Sequence, residues 1–497
     1  MSDLDERLEE LTIDAFHSAL RGGQLTAIEL VDWYLARIDA HDHAGAQIQA
    51  VVTVNPLARE EAAARDRFLA QNGALSGPLH GVPVLVKDQA EMAGLRTTFG
   101  SILFESYVPE SDATLVSKLE GAGAVILAKT AMCDFAAGWF SFSSISDHTK
   151  NPYAPARESG GSSAGTAAGI AANFGLVGIG EDTGGSIRIP ASFNNLFGLR
   201  VTTGLISRNG FSPLVHFQDT PGPIARTVPD LAKLLDSIVG YDPQDPFTVT
   251  ASLACDAGRY AQALETPVAL AAWRIGVLEA AFGSDENPDA EPVNRVVRAT
   301  ISRLQELGVS TTADLQIPDL SAWLSATSVY TIQSKLDLDE FLSKRSAAPV
   351  SSFMEIYESR QFHPLNDLFD DIATAAEGLD GEVECLRGRV NQEHLRRLIL
   401  NVFAAHEIDF LVYPTVQVIP PTREELAALK YRALTFPTNT VIGAQAGLPA
   451  LTMPIGFTAD GLPIGLELLA TPLAETKLLQ FARAWEQCAQ PRTPPVL

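Results

Sequence analysis

From Gly81 onward, short and wholly apolar runs alternate with helical segments, and this alternation limits the fold more than any other feature of the chain. Val82-Pro83-Val84-Leu85-Val86 ends in Lys87-Asp88, and Ala124-Val125-Ile126-Leu127-Ala128 follows a helical stretch (115–120) closed by Gly121 and Gly123. A helix is predicted across 166–172 and a strand across 176–179. Runs this short, with no polar face, read as strands buried on both sides. They predict an α/β fold with a central mixed sheet covered by helices on both faces. The texture returns at Phe410-Leu411-Val412-Tyr413-Pro414 and at Leu448-Pro449-Ala450-Leu451-Thr452-Met453-Pro454.

The remainder divides around that core. Residues 1–70 read as N-terminal helices: Thr26 and Glu29 form a capping box, Ile28, Val31, Leu35 and Ile38 recur at helical spacing, and a second helix starts near Pro56. Residues 71–240 carry the core motifs. Residues 241–400 read as variable and largely helical material laid over the sheet, and residues 401–497 return to it. With no internal repeat or low-complexity linker, one continuous domain is expected over 1–497.

The 497 residues are 46% hydrophobic and 19% charged, with a net charge of −24. That charge argues against nucleic acid as a partner, since phosphate binding relies on clustered Lys and Arg. It offers nothing to anionic lipid. Cys133, Cys255, Cys385 and Cys488 are widely spaced without a CxxC pair, so reduced, packed thiols are expected. The start, Met1-Ser2-Asp3-Leu4-Asp5-Glu6, is acidic, unlike a secretory or transit peptide. No apolar run approaches the roughly 20 residues of a membrane span. A cytoplasmic enzyme of a small-molecule substrate is expected, as a monomer or homodimer.

The chemistry concentrates in Ser159-Gly160-Gly161-Ser162-Ser163-Ala164-Gly165-Thr166 and in Gly180-Glu181-Asp182-Thr183-Gly184-Gly185-Ser186-Ile187-Arg188-Ile189-Pro190. Glycine pairs beside serines let backbone approach a substrate closely. Successive N–H groups in such a turn can face inward as an anion-binding nest, which acyl transfer needs at its oxyanion. Taken alone, such a turn is more often a flexible loop. A phosphate-cradling loop would show GxxxxGK[ST] or GxGxxG; neither occurs, and no lysine lies between Gly160 and Ser186.

A serine nucleophile needs a base. Nine histidines leave a Ser-His-Asp triad open. Yet no GxSxG elbow surrounds either serine, and His80, His148 and His216 carry no triad signal. A lysine serves if burial lowers its pKa. Lys87, at the end of an apolar strand, is the candidate, with a strand-end surface lysine as the alternative. Metal-ligand spacing and HExxH are both missing, so no metal or other cofactor is expected.

These two segments closely resemble the signature of the amidase signature family of serine hydrolases. Gly77-Pro78-Leu79-His80-Gly81-Val82-Pro83-Val84-Leu85-Val86-Lys87-Asp88 resembles the stretch carrying that family's catalytic lysine. Ala128-Lys129-Thr130, Asn151-Pro152-Tyr153, Gly222-Pro223-Ile224-Ala225-Arg226-Thr227-Val228, Ala446-Gly447-Leu448-Pro449-Ala450 and Asp460-Gly461-Leu462-Pro463-Ile464-Gly465 match in the family's order. The resemblance implies Ser186 as nucleophile, Ser162 after a cis peptide bond as proton carrier, and Lys87 as general base. It also implies an oxyanion hole from the N–H groups of Thr183, Gly184, Gly185 and Ser186, with Met132, Gly161 and Ser163 beside the substrate.

The implied activity is cleavage of an amide, anilide or carbamate through an acyl-enzyme. An esterase or urethanase on the same scaffold is an alternative. The family also includes the glutaminase component of glutamyl-tRNA amidotransferase, which works with partner subunits; here Leu205–Gly210 and Gln218–Pro223 look closer to stand-alone peptide and aryl amidases. A non-enzymatic descendant is disfavoured because all three catalytic positions are intact. Phe135, Trp139, Phe140, Trp323, Tyr330 and Phe341 suit a pocket for an apolar or aromatic substrate, or ordinary core. Glu181 stands where the family usually has threonine and is expected to face solvent. Arg188 is expected to hold the Ser186 loop or to be an ordinary structural arginine.

Overall fold

The computed structural model describes residues 7–497, and the acidic start at Met1–Glu6 lies outside them. In chain order the strands are β1 (Val51–Val54), β2 (Pro83–Lys87), β3 (Val125–Thr130), β4 (Phe142–Ser143), β5 (Asp147–His148), β6 (Val177–Glu181) and β7 (Phe197–Arg200). They continue with β8 (Pro221–Ala225), β9 (Arg274–Leu278), β10 (Ser310–Leu315), β11 (Phe410–Pro414), β12 (Ala450–Phe457) and β13 (Pro463–Leu469). β4 and β5 form a small hairpin. The other eleven make one mixed sheet, ordered β1-β3-β2-β6-β8-β7-β12-β13-β11-β9-β10.

The apolar runs occupy the middle of this sheet. Val84, Leu85 and Val86 are fully buried, each contributing about 1.5–3 kcal/mol by leaving water. β2 runs parallel to β3 and β6, whereas β6, β8, β7, β12, β13 and β11 pair antiparallel in turn. The helix Ala164–Ala171 lies on β2, β3 and β6, and the helix Arg188–Phe193 on β7, β12 and β13. The capping box at Thr26 and Glu29 is formed and opens the helix Ala27–Ile38. The second N-terminal helix spans Ala58–Asn72.

Two expectations are corrected. The N-terminal region is not only helical, because β1 pairs antiparallel with β3 at one edge of the sheet. The region 241–400 is not only a helical overlay, because β9 and β10 extend the opposite edge parallel to β11. β10, Ser-Thr-Thr-Ala-Asp-Leu, is largely open to solvent and buries only Leu315. An edge strand needs no apolar face, so hydrophobic patterning does not reveal it.

Parallel pairing positions the site. Val84 is opposite Val177 and Val86 opposite Ile179, so β2 and β6 end side by side. Their last residues are Lys87 and Glu181.

Candidate active site

Lys87 is 0% exposed. Its Nζ donates to Ser162 Oγ at 2.8 Å and to the Glu181 carbonyl at 3.3 Å. Burial pushes the ammonium well below the usual lysine range, against the raising effect of Glu181. Burial at this position therefore disfavours the charged form of the amine.

Ser162 and Ser163 immediately precede the helix Ala164–Ala171, and the Gly161–Ser162 peptide bond is cis. Gly161 is sterically obligatory: a Cβ there would collide with the carbonyl of Phe140. Ser163 N–H donates to the Ser186 carbonyl at 3.2 Å, and Ser163 Oγ lies against the backbone of Glu181. These bonds bring the two serine segments and the end of β6 together around Lys87.

The turn from Asp182 to Ile187 is clamped from below. Asp182 accepts from Arg188 Nε at 2.9 Å and Nη2 at 3.0 Å, and from Arg200 Nη1 at 3.1 Å. Burial raises the Asp182 carboxyl, but Arg188 and Arg200 outweigh it and hold the group below the usual carboxylate range. Arg188 also pairs with the buried Glu467. It is thus a structural arginine that fixes the first residue of the turn. The N–H groups of Thr183, Gly184, Gly185 and Ser186 donate to no acceptor among the described residues.

Glu181 does not face solvent, contrary to expectation. It is 0% exposed, with Oε2 3.6 Å from Lys87 Nζ. Period-two alternation was the available signal, since Val177, Ile179 and Glu181 share one face of a strand buried on both sides. Burial and the neighbouring Asp219 push its carboxyl up to about 7. Asp219, unmarked in the sequence, accepts from Thr183 Oγ1 at 2.6 Å and from the Leu214 and Val215 N–H groups.

A cleft of about 1040 Å³ reaches the turn only through Trp139 and Tyr330, and none of Lys87, Ser162 or Ser186 lines it. Trp139 and Tyr330 line it and also crowd Gly184, where a Cβ would strike both. Leu434, Phe436 and Ile442 add apolar wall, and Asp319 is the one charged residue on its lining. Met132, Gly161 and Ser163 are buried near the serines and do not line this cleft. Of the six aromatic pocket candidates, Trp139 and Tyr330 reach it. Phe135, Phe140 and Phe341 pack in an aromatic cluster, and Trp323 is half-buried against another. Among the described residues no group of three or more His, Cys, Asp or Glu is placed to hold a metal ion.

A central mixed sheet that brings two serine segments and a buried lysine together defines an amidase-type hydrolase scaffold. The amidase family model matches residues 29–479, and the chain belongs to that family. It is 34% identical to the A subunit of the glutamyl-tRNA(Gln) amidotransferase of Ralstonia nicotianae, over 96% of this chain and 97% of that one. Among solved structures it resembles the peptide amidase PAM in complex with the inhibitor chymostatin, with a TM-score of 0.87, 34% identity, and coverage of 98% and 99%. The corresponding A subunit from Thermotoga maritima superposes with a TM-score of 0.74 at 25% identity, covering 100% and 98%.

Proposed function

We propose that this amidase-family hydrolase cleaves an amide-type C–N bond of a small, uncharged, apolar or aromatic substrate, with Ser186 as nucleophile. The observation that carries the reading is the 2.8 Å contact between the buried Lys87 Nζ and Ser162 Oγ. Neutral Lys87 takes the proton of Ser162, and Ser162 takes that of Ser186. The Ser186 oxygen attacks the carbonyl carbon while the N–H groups of residues 183–186 receive the oxyanion. The proton returns through the relay to the leaving nitrogen as the C–N bond breaks, leaving an ester on Ser186. Water, deprotonated by the same relay, hydrolyses that ester.

The cleft disfavours an anionic substrate, because Asp319 lines it and no Lys or Arg does. Anilides, peptide amides and carbamates meet that description. Ser186→Ala should abolish both turnover and fluorophosphonate labelling while leaving the fold intact. A variant keeping more than a few per cent of activity places the nucleophile elsewhere. Rates on a panel of anilides, peptide amides, carbamates and esters define the leaving group.

A second reading, the glutaminase component of an amidotransferase, is favoured by the identity to amidotransferase A subunits along nearly the whole chain. It predicts partner subunits that co-purify and glutamine hydrolysis above that of any anilide. The first reading predicts a stand-alone enzyme and the opposite preference.

A further inference from the structure

We propose that Glu181 is a positioning residue for Lys87, holding its two N–H groups so that the amine lone pair faces Ser162. This rests on Lys87 acting as the base.

A neutral amine has two N–H groups and one lone pair. Lys87 Nζ has three neighbours: Ser162 Oγ at 2.8 Å, the Glu181 carbonyl at 3.3 Å, and Glu181 Oε2 at 3.6 Å. Two of the three belong to the same residue: the carbonyl can only accept, and so can the carboxyl once ionised, above about pH 7. If both N–H groups turn to Glu181, the lone pair is left for the Ser162 hydroxyl, as a base requires. After the proton arrives, the ammonium has three donors and the same three neighbours, with the carboxylate in ion-pairing reach.

The side chain is placed for this task. Oε1 is occupied, accepting from the Thr220 N–H at 3.2 Å, with Thr183 Oγ1 3.3 Å away and its proton directed to Asp219. Oε2 is buried with no hydrogen-bond partner of its own, and it is the oxygen toward Lys87. A threonine at this position would be shorter by a CH₂ and a carboxylate and would bear no charge. The charged and titratable groups facing the pair are Cys133, Asp219 and Asp182. Asp182 is already neutralised by Arg188 and Arg200. Asp219 is held by Thr183 and backbone N–H groups. That leaves Glu181 as the carboxylate free to act on Lys87, and an anion beside an ammonium raises its proton affinity.

The experiment is the pH dependence of fluorophosphonate labelling of Ser186 in wild type and in Glu181→Gln. The Gln side chain keeps an acceptor for the Thr220 N–H and removes the charge. The rising limb should move to lower pH by about half a unit or more, and the plateau rate should fall at least about threefold. A merely structural role would lower the plateau or the thermal midpoint without moving the limb. A limb that stays in place, or moves to higher pH, overturns the proposal. If the Gln variant does not fold, Glu181→Thr carries the same expectation. A wild type that never labels brings down the lysine-base reading, and this inference with it.

Discussion

Lys87 ends β2 and Lys129 is the last residue but one of the adjacent parallel strand β3; both are fully buried, and they differ in what surrounds their amino groups. Lys129 Nζ meets Asp88 at 3.0 Å, the Ala90 carbonyl at 2.6 Å and Thr97 Oγ1 at 3.0 Å. Three acceptors satisfy an ammonium's three donors. Lys87 instead points at a serine hydroxyl that can itself give up a proton. Burial lowers the pKa of both amines, so it is the partners that make one a structural lysine and the other a candidate base.

The pH–rate profile separates these roles. Burial pushes Lys87 downward, so activity should rise from acid to mildly alkaline pH as the amine loses its proton. Lys87→Ala should cost several orders of magnitude in rate. Lys87→Arg should not rescue it, because a guanidinium stays protonated. An arginine variant that keeps a tenth of wild-type activity contradicts the relay.

Trp139→Ala tests the cleft. Trp139 donates to the Ala433 carbonyl at 2.5 Å and stands edge-on to Tyr330, with ring centroids 5.9 Å apart. Losing its ring should lower kcat/KM for an anilide by about tenfold or more relative to a small aliphatic amide. Equal losses on both substrates would assign Trp139 to folding instead of recognition.

Asp182→Asn tests the clamp beneath the serine turn. It leaves Arg188 and Arg200 buried with their shared carboxylate gone. Removing one partner from a buried ionic network costs about 3–5 kcal/mol. Urea denaturation should register that loss, and Ser186 labelling should fall with it even at temperatures where the fold persists.

Glu158 predicts a pH dependence of stability. Burial pushes its carboxyl from 4.5 up to about 7, offset in part by the Ser141 N–H and hydroxyl that it accepts. Between those values the folded state holds a proton that the unfolded state has released. The contribution is complete below about pH 4.5 and lost as pH rises through about 7. The loss is roughly 3 kcal/mol. In urea melts at pH 5 and pH 8, Glu158→Gln should show a smaller drop than wild type. An identical drop in both proteins would rule Glu158 out as its source.

The sequence by itself determined several interior strands of the sheet, because strands buried on both faces are largely apolar, as at Val84–Val86 and Phe410–Val412, but it did not disclose β7 and β8 at the centre. It also marked Lys87, Ser162 and Ser186, through the resemblance of their segments to the amidase signature; the residues alone left a flexible loop and a surface lysine open. Nor did it disclose β10, an edge strand that buries only Leu315, or β1, whose Val-Val-Thr-Val is mostly apolar but only four residues long. Only the tertiary structure decided the setting of Glu181. A carboxylate reads as solvent-facing until parallel pairing sets its strand end beside that of Lys87. The same holds for Asp182, where two arginines, one of them a strand away at Arg200, converge on a single carboxylate. Local pattern reports burial along one element, whereas charge partners, and the pKa values they set, depend on which elements become neighbours.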